Sequence, residues 1–142
     1  METAHLEIDR PMLGAMVRHL RSAMPHEGCG LLATVDDGDG RRAVQFFPGD
    51  NIDRSTTRFT MDPRQVMAAI DAITQTGWRM GAIVHSHPSS EPTPSPTDLR
   101  EAYYPDAWLV IVSLAGIEPD VRIWDVAIGP EPRQLMLRIA SE

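Results

Sequence analysis

The chain has 142 residues, of which 20 are acidic and 13 are arginine, with no lysine, so its formal net charge is −7. The arginines are scattered, and the sequence therefore lacks the clustered positive charge that binds nucleic acid or an anionic membrane surface. A hydrophobic content of 42% excludes wholesale disorder, and the length predicts one domain over residues 1–142.

Cysteine usage and the N-terminal sequence indicate the compartment. Cys29 is the single cysteine, so an intramolecular disulfide is excluded and a reducing compartment is expected. The first eight residues are polar and acidic, unlike a signal peptide, and the longest mainly apolar run, residues 107–117, is too short to span a bilayer. We therefore expect a cytoplasmic protein.

The first half of the chain alternates between period-2 and period-3.6 hydrophobic patterns, which predicts strands and a helix. Its turns are marked by Asp- and Gly-rich segments. The predicted elements are a strand over 5–8, a helix from Asp9 that ends at Pro25, hairpin strands over 31–35 and 41–47 with a turn over 36–40, a loop over 48–57 and a short strand over 58–61.

A second helix has well-marked ends. Asp62 supplies an N-cap, Pro63 the first helical position and Gln65 the partner of a capping box. Gly77 is placed to end the helix in the left-handed conformation. The predicted apolar face consists of Val66, Met67, Ala69, Ile70 and Ile73.

The second half predicts four strands, a stiff loop and a third helix. The loop over 88–97 holds four prolines, and the helix starts at Ser95 and stops before Pro105. The predicted strands cover residues 80–87, 107–114, 120–126 and 134–139. This order predicts an α/β domain with a single mixed, largely antiparallel sheet flanked by helices.

Two histidines at the end of the 80–87 strand predict a metal site. His85 and His87 are two residues apart, so their side chains share one face of the strand, and Asp98, one turn into the third helix, can supply a third ligand. Two nitrogens and one oxygen suit zinc, with a fourth position left for water. The alternative is that Ser95 and Asp98 form a capping box that starts the helix with or without zinc.

A catalytic site of this kind needs a base that is not bound to the metal. The candidates are Glu27 and Glu91. Glu91 has proline neighbours that turn it to solvent, whereas Glu27 lies in a Gly-Cys-Gly context that permits close approach of another element. Cys29 beside it is expected to be a small buried packing residue and not a nucleophile.

The chain contains the motif His85-Ser86-His87, then seven residues, then Ser95-Pro96-Thr97-Asp98, with an upstream glutamate. This motif resembles the signature of the JAMM metallopeptidases, also called the catalytically competent JAB/MPN domain. Residues 25–32 resemble the glutamate segment of bacterial members. Asn51, Ser55 and Phe59 resemble their middle loop. The resemblance covers residues 5–126 and implies a JAB/MPN-like fold.

The resemblance also implies roles for the matching residues. His85, His87 and Asp98 are expected to hold one zinc ion, and Glu27 is expected to be the general base. Ser95 is expected to donate a hydrogen bond to the oxyanion, a role that stands beside its capping role. Asn51 either contacts substrate or supports a turn, and the sequence leaves these alternatives open.

In this family the bond that is cut follows the C-terminal tail of a ubiquitin-like protein. This short chain resembles the minimal prokaryotic members, which process ubiquitin-like sulfur carriers that end in Gly-Gly, including release of cysteine from a carrier. One alternative is a cupin-type metal protein, but the motif's glycine and a second histidine motif are missing. Another is a non-catalytic scaffold or structural zinc site of the same fold, although the presence of all five motif residues favours activity.

Overall fold

The computed structural model describes residues 4–127 and 131–140. Within these ranges no helix is long and apolar enough to cross a membrane. The elements are β1 (His5–Asp9), α1 (Arg10–Ser22), β2 (Cys29–Asp37), β3 (Gly40–Gly49), α2 (Pro63–Thr76), β4 (Arg79–His87), α3 (Pro96–Arg100), β5 (Trp108–Ser113), β6 (Asp120–Asp125) and β7 (Arg133–Ala140).

The strands form one mixed sheet in the order β1-β3-β2-β4-β5-β6-β7, which closes because β1 also pairs with β7. The pairs β2·β3, β2·β4, β5·β6 and β6·β7 are antiparallel, and the pairs β1·β3, β1·β7 and β4·β5 are parallel. The predicted mixed, largely antiparallel α/β fold is therefore confirmed. Closure of the sheet was not predicted.

Strand β4 separates two hydrophobic clusters and positions the site. Ala82 and Val84 face the larger cluster, which α1 covers with Met16 and Leu20. Ile83, on the opposite face, packs in a smaller cluster with residues of α2. Because side chains alternate along a strand, His85 and His87 continue the Ile83 face and lie on the α2 side of the sheet.

The helix ends follow the predicted capping residues, with one correction. Asp9 caps α1 by accepting from Met12 N at 2.8 Å, and Gly77 ends α2 in the left-handed conformation. Asp62 caps α2, but Gln65 does not close a capping box: its side chain exchanges hydrogen bonds with Asp50 instead. On the predicted apolar face of α2, Ala69 and Ile73 are buried, whereas Met67 is exposed.

Two predicted elements are wrong in extent. The strand over 58–61 is absent except for one bridge between Asn51 and Met61, because the Arg58 carbonyl and the Thr60 amide bond to the Asn51 side chain and not to a neighbouring strand. Helix α3 has five residues and ends at Arg100, well before Pro105. The last helical bond runs from Glu101 N to Thr97 O, and Tyr103 N then donates to Glu101 O at 2.9 Å, which turns the chain out of the helix before the proline is reached. The other predicted strands are present within two residues of their predicted ends.

Candidate metal centre

Three buried side chains converge where β4 ends and α3 begins. Nε2 of His85 and Nε2 of His87 lie 3.2 Å apart. The Asp98 carboxylate reaches both rings, with Oδ1 3.2 Å from His85 Nε2 and Oδ2 3.1 Å from His87 Nε2. The strand alternation and the helix cap that predicted this cluster are both present, and the structure brings the three predicted ligands together.

The donor set fits a metal ion. One ligand atom from each of His85, His87 and Asp98 lies within 4.8 Å of the others, and all three residues are buried. Ligands held about 2.1 Å from a tetrahedral ion stand about 3.4 Å apart, close to the separations seen here. The cluster could therefore bind a metal with little rearrangement of its side chains.

The loop after β4 orients His87. His87 Nδ1 donates to the Glu91 carbonyl at 2.7 Å, which leaves Nε2 of the neutral ring as an acceptor for a cation. The neighbouring carbonyls are fixed as well: Ser113 Oγ donates to Ser90 O at 2.6 Å, and Trp124 Nε1 donates to Pro92 O at 2.9 Å. Three consecutive carbonyls of this loop are thus held by side chains from three adjacent strands.

His85 is oriented differently. Its ring stacks on Phe59, with centroids 4.7 Å apart and an interplanar angle of 25°. Its Nδ1 is buried and has no hydrogen-bond partner among the described residues. The Phe59 contact therefore takes the place of the hydrogen bond that usually orients a metal-binding imidazole.

The protonation of the cluster follows from burial and from the shared carboxylate. Burial acts to raise the pKa of Asp98, but hydrogen bonds from both histidines outweigh it and hold that pKa well below its ordinary value. Burial lowers the pKa of His85. For His87 burial acts in the same direction, but the bonds to Asp98 and to the Glu91 carbonyl outweigh it and raise the pKa. Without a metal, the Asp98 carboxylate therefore favours the protonated form of His87.

Glu27 lies next to this cluster, just before β2, and is 3% exposed. Burial raises the pKa of its carboxyl group to about 8. The charge of His87 lowers this pKa in part, and the charge of Asp98 raises it. Its Oε1 has no hydrogen-bond partner among the described residues. Glu91, the other candidate base, is exposed and contributes its main-chain carbonyl to His87.

Glycine permits the close approach that was expected around Glu27. A Cβ atom on Gly30 would lie 2.7 Å from the Phe47 carbonyl oxygen, so no larger residue fits at this position without movement of the backbone. Cys29 is buried, as expected of a packing residue, and burial raises the pKa of its thiol to about 12. A thiol with this pKa is not a nucleophile at neutral pH.

Ser95 forms the capping box that the sequence predicted. Its Oγ accepts from Asp98 N at 3.0 Å, and Asp98 Oδ2 accepts from Ser95 N at 2.9 Å. A hydroxyl that accepts in this way keeps its own proton for another acceptor. The cap therefore places Asp98 in the cluster and leaves the Ser95 hydroxyl beside it.

Asn51 supports a turn. Its side-chain amide donates to the Glu27 and Arg58 carbonyls, and its oxygen accepts from the amides of Asp53 and Thr60. Of the two alternatives that the sequence left open, this geometry favours the turn.

An apolar groove leads to the cluster. Its volume is about 450 Å³, and His85 and Asp98 lie at its polar end. Its apolar lining includes Phe59, Met61, Val66, Tyr103 and Tyr104.

Sequence reasoning did not identify three residues that support the site. Ser86 lies between the two histidines, and its Oγ accepts from Gly28 N at 2.8 Å, which ties the Glu27 segment to β4. The sequence offered one signal for Ser86: side chains alternate along a strand, so a residue between two metal ligands faces away from the metal. Ser113 and Trp124 support the loop after β4 from other strands, and no local pattern marks such contacts.

Comparisons with known proteins agree with this geometry. A family model described as prokaryotic homologs of the JAB domain matches residues 9–127. The CysO-cysteine peptidase of Mycobacterium tuberculosis is 34% identical over 131 residues, which cover 89% of this chain and 88% of that protein. The desampylase of Haloferax volcanii is 29% identical over 121 residues, which cover 82% of this chain and 86% of that protein.

A solved structure extends the similarity to the whole described fold. The solution structure of a protein from Desulfitobacterium hafniense superimposes with a TM-score of 0.87 at 31% identity. The match covers 96% of this chain and 94% of that one. These matches exclude the cupin-type alternative, because cupins have a different fold.

Proposed function

Because this chain belongs to the family of prokaryotic JAB-domain homologues, we propose that it is a JAMM-type metallohydrolase that cleaves the amide or isopeptide bond after the C-terminal tail of a ubiquitin-like or sulfur-carrier protein. One observation carries the proposal: the buried cluster of His85, His87 and Asp98 lies beside the buried carboxyl group of Glu27. The names of the two relatives, a peptidase and a desampylase, support hydrolysis as the reaction.

We propose zinc as the metal, held by His85, His87 and Asp98. Two imidazole nitrogens and one carboxylate oxygen form a three-residue donor set that is typical of catalytic zinc. When bound, zinc would act as a Lewis acid that acidifies water and polarises the scissile carbonyl.

Glu27 would serve as the base and then as the acid. Its carboxylate would take a proton from the attacking water and return that proton to the nitrogen of the leaving amine. Oε1 is buried without a protein partner among the described residues, so it can accept this proton. Burial raises the pKa of Glu27 to about 8 in the metal-free protein, and a nearby cation would lower it, so that the carboxylate is ionised when it acts as a base.

Ser95 would donate its hydroxyl proton to the oxyanion that develops on the substrate carbonyl. This role is compatible with the capping role, because the Ser95 oxygen accepts from Asp98 N and the hydroxyl proton stays available. Loss of such a donor typically lowers kcat about 100-fold to 1000-fold.

The substrate class follows from the groove and from the relatives. The apolar groove of about 450 Å³ ends at His85 and Asp98, and it offers a path for an extended peptide tail. We extend the proposal to carriers that end in Gly-Gly, because two residues without side chains let the scissile bond approach Ser95 and Glu27 closely. Cytoplasmic location stays a prediction from the single cysteine, the N-terminal sequence and the short apolar run over 107–117.

The test uses the zinc-loaded protein and carrier proteins that end in Gly-Gly and bear a C-terminal cysteine or lysine adduct. Mass spectrometry measures release of the adduct. We expect release by the wild type, and we expect Glu27→Gln to retain about one zinc per chain while kcat falls at least about 100-fold. His87→Ala should lose both zinc and activity.

Three outcomes would contradict this proposal. A wild type that binds no zinc would remove the metal site. A Glu27→Gln variant with zinc and full activity would refute the mechanism. Bound zinc without release from any carrier would favour the alternative of a non-catalytic module of the same fold.

A further inference from the structure

The segment 50–61, which we call the 50–61 loop, is organised around the side chain of Asn51. Asn51 Nδ2 donates to Glu27 O and to Arg58 O, both at 3.0 Å. Asn51 Oδ1 accepts from Asp53 N at 3.1 Å and from Thr60 N at 3.0 Å. These four bonds use both hydrogens of the amide nitrogen and both lone pairs of the oxygen. No donor or acceptor of Asn51 is left for a substrate.

The same loop holds the main chain of Glu27 from both sides. Glu27 N donates to Ser55 O at 2.8 Å, and Glu27 O accepts from Asn51. Glu27 precedes the first residue of β2, so the ladder of the sheet does not hold its peptide groups. The position of the Glu27 carboxyl group therefore depends on the 50–61 loop on one side and on the Gly28–Ser86 contact on the other.

We propose that Asn51 is a positioning residue for Glu27, which acts through the Glu27 main chain and makes no contact with the substrate. The inference rests on the proposed function, in which Glu27 moves the proton. A general base must lie within hydrogen-bond reach of the atom that it deprotonates, and a displacement of about 1 Å can lower the rate about 100-fold. Asn51 limits this displacement because it bonds both to Glu27 O and to three main-chain groups of its own loop.

The substitution Asn51→Asp keeps the acceptor of this side chain and removes its donors. An aspartate has the same shape and can still accept from Asp53 N and Thr60 N, but it presents an oxygen where Asn51 donates to Glu27 O and Arg58 O. We expect kcat for adduct release to fall about tenfold or more, with KM within about twofold and the zinc content unchanged.

The matched control is Asp53→Ala, which loosens the same loop without removing the bond to Glu27. It removes the 2.7 Å bond from Thr60 Oγ1 and the 3.6 Å ion pair with Arg58. We expect kcat and KM of this variant to stay within about twofold of the wild type. All assays run below the melting temperature of each variant. If Asn51→Asp melts below that range, Asn51→Ser replaces it, because the shorter side chain removes the bond to Glu27 O without adding a charge.

Three results would overturn the proposal. A raised KM with unchanged kcat would mean that Asn51 binds substrate. Equal losses of kcat in Asn51→Asp and Asp53→Ala would mean that general order of the loop matters and not the bond to Glu27. Unchanged kinetics in Asn51→Asp would remove the role altogether. Failure of the wild type to release any adduct is a separate result, which would contradict the proposed function itself.

Discussion

Two loops flank the metal centre, and they hold their active-site residues in opposite ways. The loop over 88–95 is fixed from outside, because His87, Ser113 and Trp124 donate to three of its consecutive carbonyls from three strands. The 50–61 loop is held mainly by its own side chains: the amide group of Asn51 makes four bonds, and Asp53 and Ser55 add others. The first loop is held by neighbouring strands of the sheet, whereas the second is held mainly by bonds among its own residues and to Glu27. The orientation of His87 should therefore resist single substitutions better than the position of Glu27.

The largest expected effect, on zinc affinity, comes from removing two of the three side chains that hold the loop over 88–95. In the double variant Ser113→Ala and Trp124→Phe, the carbonyls of Ser90 and Pro92 lose their donors, and the Glu91 carbonyl between them is freed to move. Loss of groups that orient a metal ligand typically lowers metal affinity about tenfold to 100-fold. We expect a loss of zinc affinity in this range, measured by competition with a chelator.

Each single variant is the control for the double variant. Because one support remains on the other side of Glu91 O, Ser113→Ala or Trp124→Phe alone should lower affinity by less than about tenfold. A single variant as damaging as the double variant would show that the supports act one by one and that the loop lacks the predicted redundancy.

The two sides of the centre also differ in their expected response to pH in the metal-free protein. Burial raises the pKa of Glu27 from 4.5 to about 8, so between these pH values the folded state binds a proton that the unfolded state releases. The free energy of unfolding should therefore fall as pH rises through this window. Asp98 acts in the opposite sense, because its pKa is lowered in the folded protein. Its contribution to the free energy of unfolding is therefore lost as pH falls below the ordinary pKa of an aspartate.

Thermal unfolding of the metal-free protein checks this difference. From pH 5 to pH 8 we expect a loss of roughly several degrees in Tm for the wild type, and a smaller loss for Glu27→Gln, which cannot ionise. Glutamine has the same shape as glutamate, so the variant preserves the packing around residue 27 and removes only the ionisable group. Parallel curves for the two proteins would mean that Glu27 titrates near its ordinary pKa and is not effectively buried.

The metal ligands were predictable because their geometry is local. Strand alternation places His85 and His87 on one face, and the capping box turns Asp98 toward them. Glu27 was identified through the family resemblance and not from a local pattern. The segment that carries it is tied to β4 by the bond between Gly28 and Ser86, which lie 58 positions apart in the sequence. Spacing alone does not encode such a contact.

The same distinction explains the errors. Residues 58–61 have a strand-like pattern, but a side chain seven positions from Arg58 takes up the carbonyl that a strand partner would bind. Closure of the sheet through β1 and β7 depends on pairing between opposite ends of the chain, which no window of sequence contains. The support that Trp124 gives to Pro92 crosses 32 positions for the same reason.

The smallest expected effect tests the ring contact between the 50–61 loop and a metal ligand. Phe59 stacks on His85, whose Nδ1 has no hydrogen-bond partner among the described residues, so the stack is the main restraint on that side of the ring. Stacked aromatic pairs contribute about 1 kcal/mol beyond the area that they bury. Phe59→Leu keeps most of the apolar volume and removes the stack, so zinc affinity should fall about fivefold, as measured by chelator competition.

Met67→Leu, at an exposed position of α2, is the matched control and should leave the affinity unchanged. A fall of about 100-fold or more in Phe59→Leu would show that the 50–61 loop orients the metal ligands as strongly as the sheet does, and the contrast between the two loops would then be wrong.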